Sequence, residues 1–149
     1  MDIKHATPIR LFLMALMATL LTACATSDFA TETEDTAAKR FEATPDMANI
    51  YIYRDDNVMI NTSISVSIDG QLVGVTGNDT FILATVEPGE HRIVAKGENT
   101  DELVVDAKAG ENVFVQLGVG LGAFTNRANL ILMDQDQGME AVRGTRLLK

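Results

Sequence analysis

His91 is the only histidine after residue 23, so a general base or a metal ligand working near neutral pH would be sought there first. It has no second histidine near it and the chain's one cysteine is Cys24, so no nitrogen or sulfur ligand set for zinc can be assembled around it. The residue reads as the start of a strand beside the Pro88-Gly89 turn, where it supports structure. Spacing alone leaves a Ser-His-Asp arrangement open, because the parts of such a triad converge in space and not along the chain. The serines alternate along one strand at Ser63, Ser65 and Ser67, however, with no glycine-flanked elbow around any of them. Carboxylates gather at Asp55-Asp56, Asp101-Glu102 and Asp134-Gln135-Asp136-Gln137-Gly138, and the last resembles the start of a calcium loop. Its register fails, since such a loop needs its glycine one position later and a glutamate where Thr145 stands. These acids read as solvated loop residues. The sequence predicts no catalytic residue, no metal and no cofactor.

Gly118, Gly120 and Gly122 alternate within residues 113–124 and share one strand face with Phe114, Gln116 and Phe124. A dinucleotide fingerprint would need its glycines in a strand-to-helix turn at a different spacing. Glycine inside a strand weakens it and marks a bend or the close approach of another backbone or ligand. Two readings follow: a bend that closes a sandwich, or a bare docking surface flanked by Phe114 and Phe124. Tyr51 and Tyr53 share a face of another strand, and in a chain without tryptophan they are the residues for a sugar-stacking platform.

The elements that must position these residues follow from periodicity. From Ala48 onward the apolar period is two, and turn residues recur at roughly ten-residue spacing, the pattern of an antiparallel sandwich or barrel. Ile64, Val66 and Ile68 alternate with the serines, giving one apolar and one hydroxyl face. Asp69-Gly70 supplies the dipeptide preferred by a type I′ hairpin turn, and Pro88-Gly89 a tight reversal. Residues 141–149 read as a helical turn ending at Gly144 and then an edge strand. The fold class predicted for residues 48–149 is all-β: an antiparallel two-layer sandwich of about seven or eight strands, immunoglobulin-like in outline.

The first residues carry Lys4, His5 and Arg10, followed by a charge-free stretch from Leu11 to Ala23. As a helix those residues reach only about 20 Å, short of a hydrocarbon core of about 30 Å. A basic start, a short apolar core and small closing residues describe a cleaved secretory signal. The segment ends Leu21-Thr22-Ala23-Cys24, which resembles the lipobox of bacterial lipoproteins. That resemblance implies diacylglyceryl transfer to the Cys24 thiol, cleavage just before it, and attachment to the membrane through acyl chains, two or more of which anchor stably. Ala25 in place of an aspartate implies the outer membrane, facing the periplasm. Residues 1–23 are thus expected as a signal peptide and residues 24–47 as a lipidated flexible tether. Residues 25–46 are rich in threonine, alanine and acids, with Phe29 and Phe41 their only large apolar side chains. Their free reach would be on the order of 26 Å, with a short helix around Thr36 to Glu42 as the alternative for part of the stretch.

Fourteen acidic and eight basic residues lie in residues 47–149, and six against two in residues 25–46, leaving the mature chain at −10. Such a surface repels phosphate backbones, so nucleic acid is not an expected partner. Taken together, Tyr51-Ile52-Tyr53-Arg54, the run Ile68-Asp69-Gly70-Gln71-Leu72-Val73-Gly74, Pro88-Gly89-Glu90-His91 and the glycine-rich strand followed by Leu130 resemble the DUF2846 family of bacterial lipoproteins, a relative of the PEGA-type sandwich modules. The family implies the fold but no activity. The function expected is a non-enzymatic, lipid-anchored interaction module of the cell envelope, with an envelope protein or the cell wall as partner. A domain that binds glycan, peptidoglycan or lipid is the alternative, and an envelope hydrolase comes third.

Overall fold

The computed structural model describes residues 29–55, 63–121 and 126–149. The signal segment, Cys24, Gly122 and Phe124 lie outside the described residues. Among the described residues nine strands form two sheets: β1 (Ala48–Arg54), β2 (Ile64–Ile68), β3 (Gln71–Thr76), β4 (Thr80–Val86), β5 (Gly89–Lys96), β6 (Thr100–Ala107), β7 (Asn112–Leu121), β8 (Asn126–Met133) and β9 (Arg146–Leu147). One sheet has the order β8-β7-β1-β4-β9 and the other β3-β2-β5-β6. Two helices accompany them among the described residues, α1 (Glu32–Ala38) and α2 (Gln135–Arg143). No helix among the described residues is long and apolar enough to cross a membrane.

The β-sandwich expected from the alternation is present, with more strands than predicted and with two parallel pairs, β1 with β7 and β4 with β9. Local alternation fixes which face a residue occupies but says nothing about which distant strand lies beside it, so the parallel pairs could not be read ahead. β2 behaves as its pattern requires: Ile64, Val66 and Ile68 are buried and the two serines point outward. The turn after it has Asp69 at φ 50° and Gly70 at φ 82°, the two positive values a type I′ turn demands. Between the sheets, Ile50, Ile52, Val66, Ile93, Val105, Val115 and Leu117 form the main core.

β1 is buried along its whole length, which requires cover on both faces. The inner cover is the second sheet. The outer cover comes from the two helices and Phe41, which enclose Tyr51, Tyr53, Phe81, Phe114 and Val142 in a second core. The segment expected to be a flexible tether is therefore folded from Phe29 onward. Thr31 caps α1 in a reciprocal box: its hydroxyl accepts from the Glu34 amide at 3.3 Å, and its own amide donates to the Glu34 carboxylate at 2.8 Å. Phe41, at φ 57°, turns into the aromatic cluster and is only 8% exposed. The ordering entropy that argued for a free tether is offset by burial of the few large side chains the segment owns.

At the open corner of the sandwich β6 stitches the edge of β8. Asn99 donates to the Ala128 carbonyl at 2.9 Å and accepts from the Ala128 amide at 2.8 Å, and Asp101 accepts from the Leu130 amide at 2.6 Å. Backbone groups that would template another strand are taken by side chains of the same molecule.

Candidate functional site

The residues singled out by their chemistry separate into a buried aromatic cluster, a histidine–aspartate pair at two surface turns and one exposed strand face. Tyr51 and Tyr53 are each 1% exposed, so neither offers a ring to a sugar. Tyr51 stacks on Phe114 with ring centroids 5.0 Å apart, and its hydroxyl donates to the Ala38 carbonyl at 2.8 Å. Burial pushes its phenol up to about 12. Burial, and then the nearby charges of Asp55 and Asp134, push Tyr53 to about 12 as well. Alternation put these two rings on one face, as the strand has them; the helices that cover that face are what the alternation did not contain.

Phe114, expected to flank an exposed glycine surface, is also buried, beneath α2. Asp134 is the N-cap of that helix, accepting from the Gln137 amide at 3.0 Å. This is the role of the acidic run that resembled a calcium loop: a capping acid and the first helical turn, in place of a solvated loop. Gly138 explains the close approach. A Cβ built on it would run into the Phe114 Cβ and Cγ and lie 2.8 Å from its Cδ1, so the α2 backbone rests directly on the ring.

His91 and Asp69 form a latch between two turns. Nδ1 of the imidazole lies 2.6 Å from Asp69 Oδ2 and Nε2 lies 2.7 Å from the Glu87 carbonyl, while Asp69 Oδ1 accepts from the Arg92 amide at 2.9 Å. Both ring nitrogens face acceptors, so both bonds are made only when both nitrogens carry protons, and none is left to receive one from a substrate. Burial pulls the His91 pKa down, but the bonds to Asp69 and to the Glu87 carbonyl, with the charges of both acids, outweigh it and leave the value raised. The Arg92 amide and the His91 ring hold Asp69 below its ordinary range. A raised histidine contributes its stability below the unfolded value of about 6.5 and loses it as pH rises through the folded value. A lowered aspartate contributes above about 3.9 and loses it as pH falls through its folded value. The melting midpoint is accordingly expected to fall modestly as pH rises from about 6.5 through the folded value of His91. A His91→Phe variant followed by thermal melts should lack that slope; a slope unchanged in the variant would show that the latch does not titrate.

A cavity of about 350 Å³ lies between α1 and the β1–β4 pair, lined in part by Glu34, Glu42, Thr44, Asn49, Leu83 and Thr85. Its central amide is committed internally. Asn49 donates to the Glu42 carbonyl and to Asn112 Oδ1, and accepts from the Thr85 hydroxyl at 3.0 Å. Among the described residues no three of the His, Cys, Asp and Glu side chains come together in a set that could hold a metal ion.

The exposed group is the outer face of β7 and β8 beyond α2. Gly118 and Gly120 stand opposite Asn129 and Arg127 in the antiparallel register, and Gln116 opposite Ile131. Gly120 is exposed, and a Cβ there would meet nothing within 4 Å; one at Gly118 would meet only the Asn129 carbonyl at 3.7 Å. Neither has a positive φ, so neither is required by backbone conformation or by internal packing. Ile131 beside them is 41% exposed.

Sequence reasoning missed Arg54, which is fully buried at the end of β1 and donates to Asn78 Oδ1 at 2.8 Å. An arginine closing an aromatic and apolar strand gave no local sign of burial. Sequence reasoning placed a short helix around Thr36 to Glu42, whereas the helix runs from Glu32 to Ala38, for which the Thr31-x-x-Glu34 capping pattern was a readable sign.

The chain resembles known proteins over most of its length. It is 32% identical over 129 residues to an uncharacterised protein of Haemophilus influenzae, a match spanning 85% of this chain and 76% of that protein. No solved structure matches it. The model of the family described as "Protein of unknown function (DUF2846)" matches residues 44–127, from just before β1 into the start of β8. With the family model matching more than half of the chain and the relative 32% identical over 85% of it, the chain belongs to the DUF2846 family.

Proposed function

We propose that this protein is a lipid-anchored component of the bacterial cell envelope whose sandwich presents an interaction surface and carries out no reaction. Cys24 is the anchor, acylated at the end of a cleaved signal of 23 residues, and Ala25 directs the protein to the outer membrane, where it faces the periplasm. The docking surface is the bare face around Gly118 and Gly120, flanked by Gln116 and Ile131, and its partner is an envelope protein.

The observation that carries this reading is the open space at Gly120. Glycine in a strand interior forfeits packing and costs backbone entropy, and here neither backbone nor neighbours ask for it. Close approach by an outside backbone accounts for it. Gly120→Val should leave the thermal midpoint unchanged or slightly raised, within about 0.5 kcal/mol of the parent. The same substitution should abolish a partner cross-link formed in intact envelopes. A variant that unfolds would make the glycine architectural, and a variant that keeps the cross-link would remove this face from the interaction.

A further inference from the structure

We infer that the Phe29 end of the sandwich is the face that rests against the bilayer, a conclusion that stands on the proposed acylation of Cys24. Phe29 is fixed to the body of the domain. It bridges antiparallel to Leu148, the Ala30 amide donates to the Leu147 carbonyl at 3.0 Å, and the Arg146 guanidinium sits 4.1 Å above its ring. Five peptide steps separate Cys24 from Phe29, which span about 18 Å when fully extended. A tether ending at residue 47 would have let any face meet the membrane. A leash of five steps attached at Phe29 does not.

The surface around the attachment point suits a lipid headgroup layer. Phe29, Ser63, Val75, Asn78, Thr80 and Leu148 line a hollow of about 460 Å³ whose lining includes no ionisable side chain. Val75 there is 47% exposed. Around it stand Arg54, Arg146 and Lys149 against Asp55 and Asp79, so among the described residues this end is close to neutral in a chain of net charge −9. The opposite end of the strands, where Ala48 pairs with Val86 and Gly89 with Ala107, holds Glu87, Glu90, Asp106 and Glu111 with Lys108. Anionic headgroups repel that end and tolerate the first. Leash length and charge distribution select the same face.

Because Cys24 is the chain's only cysteine and acylation occupies its sulfur, an added cysteine provides a single labelling site. Full-length acylated Val75→Cys and Glu90→Cys proteins, each carrying a polarity-sensitive fluorophore, are reconstituted into vesicles of phosphatidylethanolamine and phosphatidylglycerol containing a headgroup-labelled quencher lipid. The Val75 probe should lose most of its emission and the Glu90 probe should keep it. Ser63→Cys, on the same hollow, should repeat the Val75 result if labelling at Val75 disturbs the fold. Equal quenching at both ends, or stronger quenching at Glu90, overturns the orientation. The N-terminal mass of the same preparation separates the two failures: with the acyl chains present only the orientation falls, and without them the anchoring falls with it.

Discussion

Phe41→Ala should destabilise the protein by about 3–5 kcal/mol, the cost of removing a buried phenylalanine from a close-packed site. The ring is tilted against Tyr51 at 5.4 Å and edge-on to Phe114 at 5.8 Å, with the Arg143 guanidinium 5.4 Å from its centroid. Its loss would open the space between α1 and β1 and leave the Asn112 side chain's bond to the Phe41 carbonyl, 2.7 Å in the parent, on an unsupported loop. Chemical denaturation of parent and variant measures the difference. A loss under about 1 kcal/mol, typical of a surface position, would mean that residues 29–47 are a loose tether after all.

Gly138→Ala is expected to cost about 1–3 kcal/mol, as overpacking a filled core does. The sign makes this informative. Alanine in place of glycine inside a helix ordinarily stabilises by about 1 kcal/mol, so a loss here can come only from the collision of the new methyl with Phe114. A second substitution, Phe114→Leu, should recover part of the loss in the double variant, since contacting sites are not additive. Stabilisation by Gly138→Ala alone would show that α2 does not sit on the ring.

Both sites illustrate how far the sequence carried. Features written in neighbouring residues were legible: the inward and outward faces of β2, the Asp69-Gly70 turn, the reversal at Gly89 with its φ of 145°, and the helix-then-strand ending. What could not be read was anything set by residues far apart in the chain. Tyr51 and Tyr53 were placed on one face, but whether that face meets water or a helix depends on α2, some eighty residues later. Gly138 looked like a piece of an acidic loop because its real partner, Phe114, lies on another element. The tether was misread for a related reason. Composition counts Phe29 and Phe41 as two apolar residues in a polar stretch, whereas the fold uses both as pins, one under Arg143 and one under Arg146. In the candidate site the glycine face was legible from alternation alone; that Phe114 lies under a helix and does not border it was not.

The Cys24 anchor is tested most directly by the mass of the mature N-terminal peptide, taken from protein recovered from its native cells. The expected peptide begins at Cys24 and carries a diacylglyceryl group on sulfur. An unmodified Cys24 with residues 1–23 still attached would contradict it.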